Sequence, residues 1–498
     1  MQVVDWVAKQ ASLKPNKVAL IDLGSGREVT FRELDQRVSR VASIIRAWQV
    51  TPGARVAVLA HNSIEYLEWL YGCARAQTIM VCLNWRLSVE ELSGVLGDAT
   101  PKALVYGPEF AAQADVLGKT AGITATLSLD QAYEDALAKA EPGPANWGWR
   151  DEGEPWYLLY TSGSTGKPKG VIQTFGMCFL NAVNDMLGAG INSEDVFLSV
   201  LPFFHTGGLN LYCNPMLMVG GTTYIMRQFD PEKTIDLIEN KINVFFGVPA
   251  IYLFISQHPN FAKANLSRVR SWGAGGSPMP KAQLEEWIAR GVHIGFGFGM
   301  TETGPTVFLT DPALTERKIG TVGKPIGMMQ CKIVDDSGAE VGPNTRGEVM
   351  VRGSGVTPGY WQMPEATAKA FTDGWLHTGD IGYFDDDGDF YIVDRVKDMF
   401  ISGGENVYPA EVENVLAQMP EIAENGVIGV PDEKWVEVGK AIIALKPGAS
   451  LTIDQVKAHC KAKLAGYKVP KHVEFVPALP RNATGKIDKP RLRDQFGK

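Results

Sequence analysis

What this chain lacks narrows the field first. Its six cysteines (Cys73, Cys82, Cys178, Cys213, Cys331, Cys460) are scattered, with no Cys-x-x-Cys pair. That spacing argues against a disulfide framework or a structural zinc site and fits a reducing, cytoplasmic compartment. The first residues, MQVVDWVAKQ, have no basic start followed by an apolar core, so no secretory signal is read there. The most apolar run, INVFFGVPAIYLFI (242–255), is interrupted by Asn, Gly and Pro. It falls short of the roughly 20 residues of a membrane span, so it is expected to pack in a core and no transmembrane segment is expected. There is no basic excess either. A formal net charge of −8 gives no field for nucleic acid or an anionic membrane, though a local basic cleft for a small anion is compatible with it. No internal repeat or low-complexity tract is present.

What is there describes a globular protein of more than one domain. At 498 residues, 45% hydrophobic and 21% charged, the chain is too long for a single core. Thr30 and Glu33 form a capping box ahead of Phe31, Leu34, Val38, Val41 and Ile45 at helical spacing. A strand-like ARVAVLA (54–60), a helix over 63–76, a strand TIMVCLN, a second capping box from Ser88 to Glu91 and a strand ALVYG follow. Alternation of this kind predicts parallel sheets with helices on their faces. WYLLY (156–160) reads as the start of another such unit, leading into a Gly-rich stretch at a strand's carboxyl end, where ligands of α/β sheets gather. From about Gly320 short β runs between Gly and Asp turns predict a small antiparallel or barrel-like unit. Past Asp394 the pattern is a compact α+β module, with helices over 410–419 and 453–464 and strands near Val427, Ala441 and Val473.

The Gly-rich stretch is YTSGSTGKPKGV (160–171). A flexible linker and a phosphate-binding loop both fit its composition, but Lys167 and Lys169 favour the second. It is not a Walker loop: Thr161 stands where the first Gly is needed and Pro168 where the magnesium-binding hydroxyl is needed. Nor is GAGGSP (273–278) a dinucleotide fingerprint, because its third position is Pro278. The ingredients for phosphate remain: glycine N–H groups, the hydroxyls of Thr161, Ser162, Ser164 and Thr165, and two lysines.

These residues resemble the signature loop of the adenylate-forming superfamily, which holds acyl- and aryl-CoA synthetases, peptide-synthetase adenylation domains and beetle luciferases. The other motifs of that family stand in the same order: LPFFHTGG (201–208), GAGGSP, GFGMTETG (297–304), GEVMVRG (347–353), WLHTGD (375–380), DRVKDMFISGGENVYP (394–409) and PRNATGKIDK (480–489). The resemblance implies a large N-terminal α/β domain (1–394) with parallel sheets and a small β-barrel-like unit, holding ATP and the acyl pocket. It implies a small mobile α+β C-terminal domain (395–498) carrying Lys486.

The chemistry implied is activation of a carboxylate as acyl-AMP, followed by transfer to coenzyme A. Two anions meeting in the first step need positive charge at the reacting oxygens. By resemblance Lys486 supplies it, Thr301 donates to the α-phosphate, and Glu302 with Thr161 holds Mg²⁺. His205 lines the carboxylate end of the acyl pocket. The nucleotide is expected on Thr161, Ser162, Gly163, Ser164, Thr165, Gly166, Lys167 and Lys169, on Gly275, Gly276 and Ser277, and on Gly297, Phe298, Gly299 and Met300. Phe298 stands where the family often has Tyr; it can stack on adenine but cannot hydrogen-bond. Asp380 and Arg395 are expected at the ribose. Asp394 is the expected hinge, with Lys397 beside it, and a swing about it replaces Lys486 by Gly403 and Gly404, which leave room for pantetheine.

Among the family's classes a CoA ligase is favoured, because no carrier domain follows the Lys486 motif and QFGK is not a peroxisomal signal. A stand-alone adenylation domain, a luciferase-like oxygenase and a non-catalytic binder are the alternatives. The cofactors implied are ATP, Mg²⁺ and coenzyme A; the partner is a small-molecule carboxylic acid, not nucleic acid, and the family admits a homodimer. Phe203, Phe204, Phe246, Val248, Phe296 and Met300 are candidate pocket walls, apolar and largely aromatic. They favour a medium- or long-chain fatty acid, with a cinnamate-type or other aryl acid as the alternative.

Overall fold

The computed structural model describes residues 1–143, 149–162, 168–395, 397–402, 405–432, 435–482 and 486–497. Among these residues the strands fall mainly into two large sheets, a small antiparallel sheet and a separate C-terminal sheet. In the first large sheet, Pro168–Thr174, Pro155–Ser162, Ile79–Cys82, Arg55–Leu59, Ala103–Tyr106 and Ala125–Ser128 lie side by side in that order. The second places Ile294–Gly299, Ser271–Gly275, Val244–Gly247, Val196–Ser199, Thr222–Ile225 and Val18–Asp22 in parallel, with antiparallel strands at both ends.

The local signals explain the elements. Helix Phe31–Ala47 starts at Thr30, whose hydroxyl accepts from the Glu33 N–H while Glu33 closes the box, and it buries Phe31, Leu34, Val38, Val41 and Ile45. Strand Arg55–Leu59 lies inside its sheet and is apolar without alternation, as burial on both faces requires. The apolar run 242–255 divides at Val248. Val244–Gly247 becomes a buried strand, and Pro249 opens helix Pro249–Ser256 from a position needing no N–H. Among the described residues no helix is long and apolar enough to cross a membrane.

One expectation is corrected. WYLLY does not begin a strand–loop–helix unit. Strand Pro155–Ser162 turns back through the Gly-rich stretch into antiparallel Pro168–Thr174, and only then does helix Phe175–Ala189 begin. The reason is in the sequence after the loop: PKGVIQT is itself a β-rich run, and Thr174, not a loop residue, caps the helix by accepting from the Met177 N–H.

The antiparallel unit expected after Gly320 is a five-stranded sheet built on Trp375–Phe384, which pairs with Gly347–Gly353 on one side and Phe390–Arg395 on the other. Past Arg395 a smaller α+β domain follows. Val436–Leu445 is the centre of its sheet, and helices Pro409–Leu416 and Ile453–Lys461 pack against it around Phe400, Val412, Leu416 and Ile443. The whole is a mixed α/β protein with a large N-terminal and a smaller C-terminal domain.

Candidate active site

The strands of the second sheet end together, and there the expected residues converge. Gly275 closes strand Ser271–Gly275, and Gly276 turns the chain at φ +83. A Cβ built on Gly276 would lie 3.9 Å from both Cε and Nζ of Lys486 and 3.5 Å from Cγ1 of Val248. The C-terminal domain therefore delivers Lys486 to the mouth of the large domain's sheet. Local bonds hold it there: the Lys486 N–H donates to Asn482 Oδ1 at 3.0 Å, and the Asn482 N–H to the Lys486 carbonyl at 2.8 Å. Burial of the ammonium end and the like charge of Arg395 lower the Lys486 pKa, with Asp380 opposing. The residue as a whole remains solvent-exposed, which screens that loss.

Asp380 and Arg395 face each other across neighbouring strands, with Arg395 Nε 3.0 Å from Asp380 Oδ1. The other oxygen, Oδ2, is buried with no hydrogen-bond partner among the described residues. Burial pushes the carboxyl up to about 6, against the pull of Arg395 and Lys486. A buried acceptor in want of donors fits the ribose hydroxyls expected there.

His205 caps helix Thr206–Leu209: its Nδ1 accepts from the Gly207 N–H at 3.1 Å. Burial first, then the charges of Lys486 and Arg86, push its pKa down to about 4. The ring is thus neutral, and because Nδ1 accepts, the proton sits on Nε2. His205 is a hydrogen-bond donor, not an acid or base, at neutral pH.

Strand Ile294–Gly299 leads into the turn Thr301–Thr303. The turn is wound so tightly that a Cβ on Gly299 would lie 1.5 Å from the Pro305 carbonyl oxygen. Thr301 and Glu302 are both buried. Glu302 Oε1 accepts from the Tyr360 hydroxyl at 3.0 Å, and the Tyr360 ring lies 4.7 Å beneath the Lys169 ammonium. Burial raises the Glu302 pKa, while Tyr360, Arg395 and Lys169 hold it down. A buried carboxylate short of positive partners suits a divalent cation. Thr161 pairs with Lys169 across the hairpin, flanking the Gly-rich stretch.

Other expected residues fall differently. Gly163, Ser164, Thr165, Gly166 and Lys167, and Gly403 and Gly404, lie outside the described residues, as does the Ser162 side chain. Ser277 is exposed at the sheet end, beside Gly276. Gly297 pairs with Gly275. Phe298 and Met300 pack on the cluster around Phe308, with the Phe298 and Phe308 rings 5.8 Å apart, so Phe298 presents only part of its ring to the cleft. Phe203 turns away from it into the core, against Tyr66. Phe204 packs on Trp85 and beneath Arg86. Phe246 lies against Gly273 and edge-on to Tyr212, and Phe296 is half-buried. Asp394 accepts from the Arg395 N–H and, through Oδ2, from the Ala410 N–H, both at 2.7 Å, so it ties the last strand of the large domain to a C-terminal-domain helix. Lys397 is exposed, its carbonyl 3.4 Å from Arg493 Nη2.

Sequence reading missed Tyr360, Tyr212, Gln173 and Asn210. The first two carry no local signal. Gln173 does: it is the polar residue at an inward position of VIQT, and its side chain reaches the Thr301 carbonyl.

Residues 7–361 match the AMP-binding enzymes, and residues 411–486 match the AMP-binding enzyme C-terminal domain. A feruloyl-CoA synthase of an Amycolatopsis species is 40% identical over 493 residues, 99% of this chain and 98% of that protein. A long-chain-fatty-acid–CoA ligase of Mycobacterium tuberculosis is 36% identical over 507 residues, 100% of this chain and 99% of the other. The o-succinylbenzoate coenzyme A synthetase of Bacillus subtilis, solved with ATP and magnesium ion, superposes with a TM-score of 0.90 at 32% identity over 100% of both chains.

Proposed function

Since this chain belongs to the AMP-binding enzymes of the adenylate-forming superfamily, we propose that Lys486, His205, Thr301 and Asp380 form one active site that first adenylates an aryl acid of phenylpropanoid size and then passes it to coenzyme A. The enzyme is an AMP-forming acid–thiol ligase that uses ATP, Mg²⁺ and coenzyme A. The observation that carries the assignment of roles is the approach of Lys486 to Gly276 at the end of the nucleotide-facing sheet.

The residues divide the work. Lys486 offsets the repulsion between the acid's carboxylate and the α-phosphate as the carboxylate oxygen attacks phosphorus and pyrophosphate leaves. Neutral His205 donates from Nε2 to the acid and adds no second charge. Thr301 donates to the α-phosphate, and Asp380 accepts from the ribose. Glu302 and Thr161 would hold Mg²⁺, which neutralises phosphate charge when bound. In the second step the thiolate of coenzyme A attacks the acyl carbon and AMP departs, carrying the electron pair of the broken bond. That step has no use for Lys486, and we assign Asp394 as the point about which the small domain turns to withdraw it, bringing Gly403 and Gly404 to the pantetheine.

If Glu302 is the metal carboxylate, Glu302→Gln raises the Mg²⁺ concentration needed for half-maximal pyrophosphate exchange by about tenfold or more. An unchanged Mg²⁺ requirement would remove Glu302 from that role.

The acid is assigned from one wall. Phe246 and the Tyr212 hydroxyl crowd Gly273, their atoms 2.7 and 3.0 Å from where its Cβ would stand. Gly273 lies three strand residues, roughly 10 Å, behind Gly276. An acid laid along this wall from Lys486 would meet Phe246 and Tyr212 at about that depth, a length that suits a three-carbon tail and one ring. The feruloyl-CoA synthase relative at 40% identity supports this reading. A fatty acid is the second reading, supported by the long-chain relative at 36%. A panel of ferulate, 4-coumarate, octanoate and palmitate in acid-dependent pyrophosphate exchange decides: kcat/KM for the phenylpropanoids should exceed that for palmitate at least about tenfold, the order of discrimination one crowded pocket can supply. The reverse order overturns the aryl reading in favour of fatty acids.

A further inference from the structure

We propose that Gln173 and Asn210 are positioning residues that hold the Thr301 turn and the His205 helix in register through a one-way chain of buried hydrogen bonds. The inference rests on the roles given above to Thr301 and His205.

Gln173 is 0% exposed, on the strand that leaves the phosphate loop. Its Nε2 donates to the Thr301 carbonyl at 2.9 Å, and its Oε1 accepts from Asn210 Nδ2 at 3.2 Å. Asn210 directly follows the helix that His205 caps, and its own N–H donates to the Thr206 carbonyl at 2.7 Å. Asn210 Oδ1 accepts from the Tyr157 hydroxyl and from Asn214 Nδ2, the latter at 3.0 Å, and Asn214 Oδ1 accepts from the Tyr71 hydroxyl at 3.1 Å. A second tie reinforces the first. Asn181 Nδ2 donates to the Asn210 carbonyl at 2.7 Å, while Asn181 Oδ1 accepts from the Thr306 N–H at 3.0 Å, just past the Thr301 turn.

The chain has one permitted direction. A main-chain carbonyl only accepts, so the Gln173 nitrogen must face Thr301 and its oxygen must face Asn210. Asn210 must then present its nitrogen to Gln173 and its oxygen to Tyr157 and Asn214. Reversing any one amide would set like groups against each other at buried positions. Aligned donors also polarise one another, so the bond reaching Thr301 is strengthened by those behind it. A methionine would fill the same space but would leave the buried Thr301 carbonyl and an Asn210 N–H without the partners that Gln173 supplies. What the amide adds is a fixed distance between the segment that contacts the α-phosphate and the one that contacts the acid.

The test is kinetic. Misplacing a reacting pair by an ångström costs about a hundredfold, so Gln173→Met, measured on protein shown to be folded by circular dichroism, should lower kcat of acid-dependent pyrophosphate exchange by about 10- to 100-fold. The KM values for ATP and acid should stay within about threefold, because the binding groups themselves are untouched. Asn210→Thr should act alike. Because the two residues lie in series, the double variant should be no worse than about threefold below the poorer single variant. A wild-type kcat in Gln173→Met, a loss confined to KM, or a double variant whose defect is the product of the singles each overturns the positioning role. If Gln173→Met does not fold, Asn210→Thr carries the kinetic test, and a wild-type kcat there overturns it equally. Absence of exchange in the wild-type enzyme would overturn the proposed function itself and this inference with it.

Discussion

Lys486→Ala abolishes acid-dependent pyrophosphate exchange, by about a thousandfold or more, while acyl-AMP and coenzyme A supplied together still yield thioester at close to the wild-type rate. The magnitude is that of removing a positioned charge from a reacting centre where no other group can take its place. Two other basic groups of the candidate site are committed: Arg395 is paired with Asp380, and Lys169 sits over Tyr360. His205 is held neutral. The half-reaction split is the discriminating feature, because a lysine needed only for stability would depress both halves together. Lys486→Arg should fail nearly as badly, since a planar guanidinium cannot stand where the compact ammonium approaches Gly276. Equal loss in both halves would remove Lys486 from the role given to it.

The second large effect is at Asp380. Asp380→Asn should raise the KM for ATP at least about tenfold at pH 7.5, because an ionised acceptor of two hydroxyl protons is replaced by an amide with one acceptor oxygen. The pH dependence follows from a carboxyl that titrates near 6 in the folded protein. In the wild type the KM for ATP should worsen as pH falls through about 6, and in the Asn variant it should stay flat there. Stability moves the opposite way. A carboxyl whose folded pKa is raised contributes stability that is complete below its unfolded value and lost as pH rises through the folded one. At pH 7.5 the ionised side chain is therefore a burden on the nucleotide-free protein. Asp380→Asn should raise the melting midpoint by a few degrees at pH 7.5 and not at pH 4. A variant less stable at pH 7.5, with an unchanged KM for ATP, would make Asp380 a structural ion-pair partner of Arg395 and nothing more.

Much of this was legible in the residues, for reasons that differ by element. The capping boxes at Thr30 and Ser88 are local devices and mark their helices directly. Several motif glycines stand at strand ends, Gly275 and Gly299 among them, and the order of the motifs along the chain was the basis on which site residues were expected. The hairpin at 155–174 was not foreseen, although its signal is local: the β-rich run PKGVIQT directly after the loop. Tyr360 was not foreseen either: it stands 58 residues from the carboxylate it touches. In the network through Gln173 and Asn210, Gln173 shows itself as a polar residue at an inward strand position, but Asn210 looks ordinary until its partners are known. His205 was placed by its motif, but its protonation follows from burial and neighbouring charge, which no pattern displays.

The tight winding at Gly299 bears on any effort to retool this enzyme for other acids. With the Pro305 carbonyl occupying the place a side chain would need, Gly299 itself offers an engineer nothing to mutate, and a library that randomised it would return mostly unfolded clones. On the aryl-acid reading proposed above, new acid preferences should come from Tyr212, Phe246 and Val248. A small focused library there should outperform a large one spread around the site.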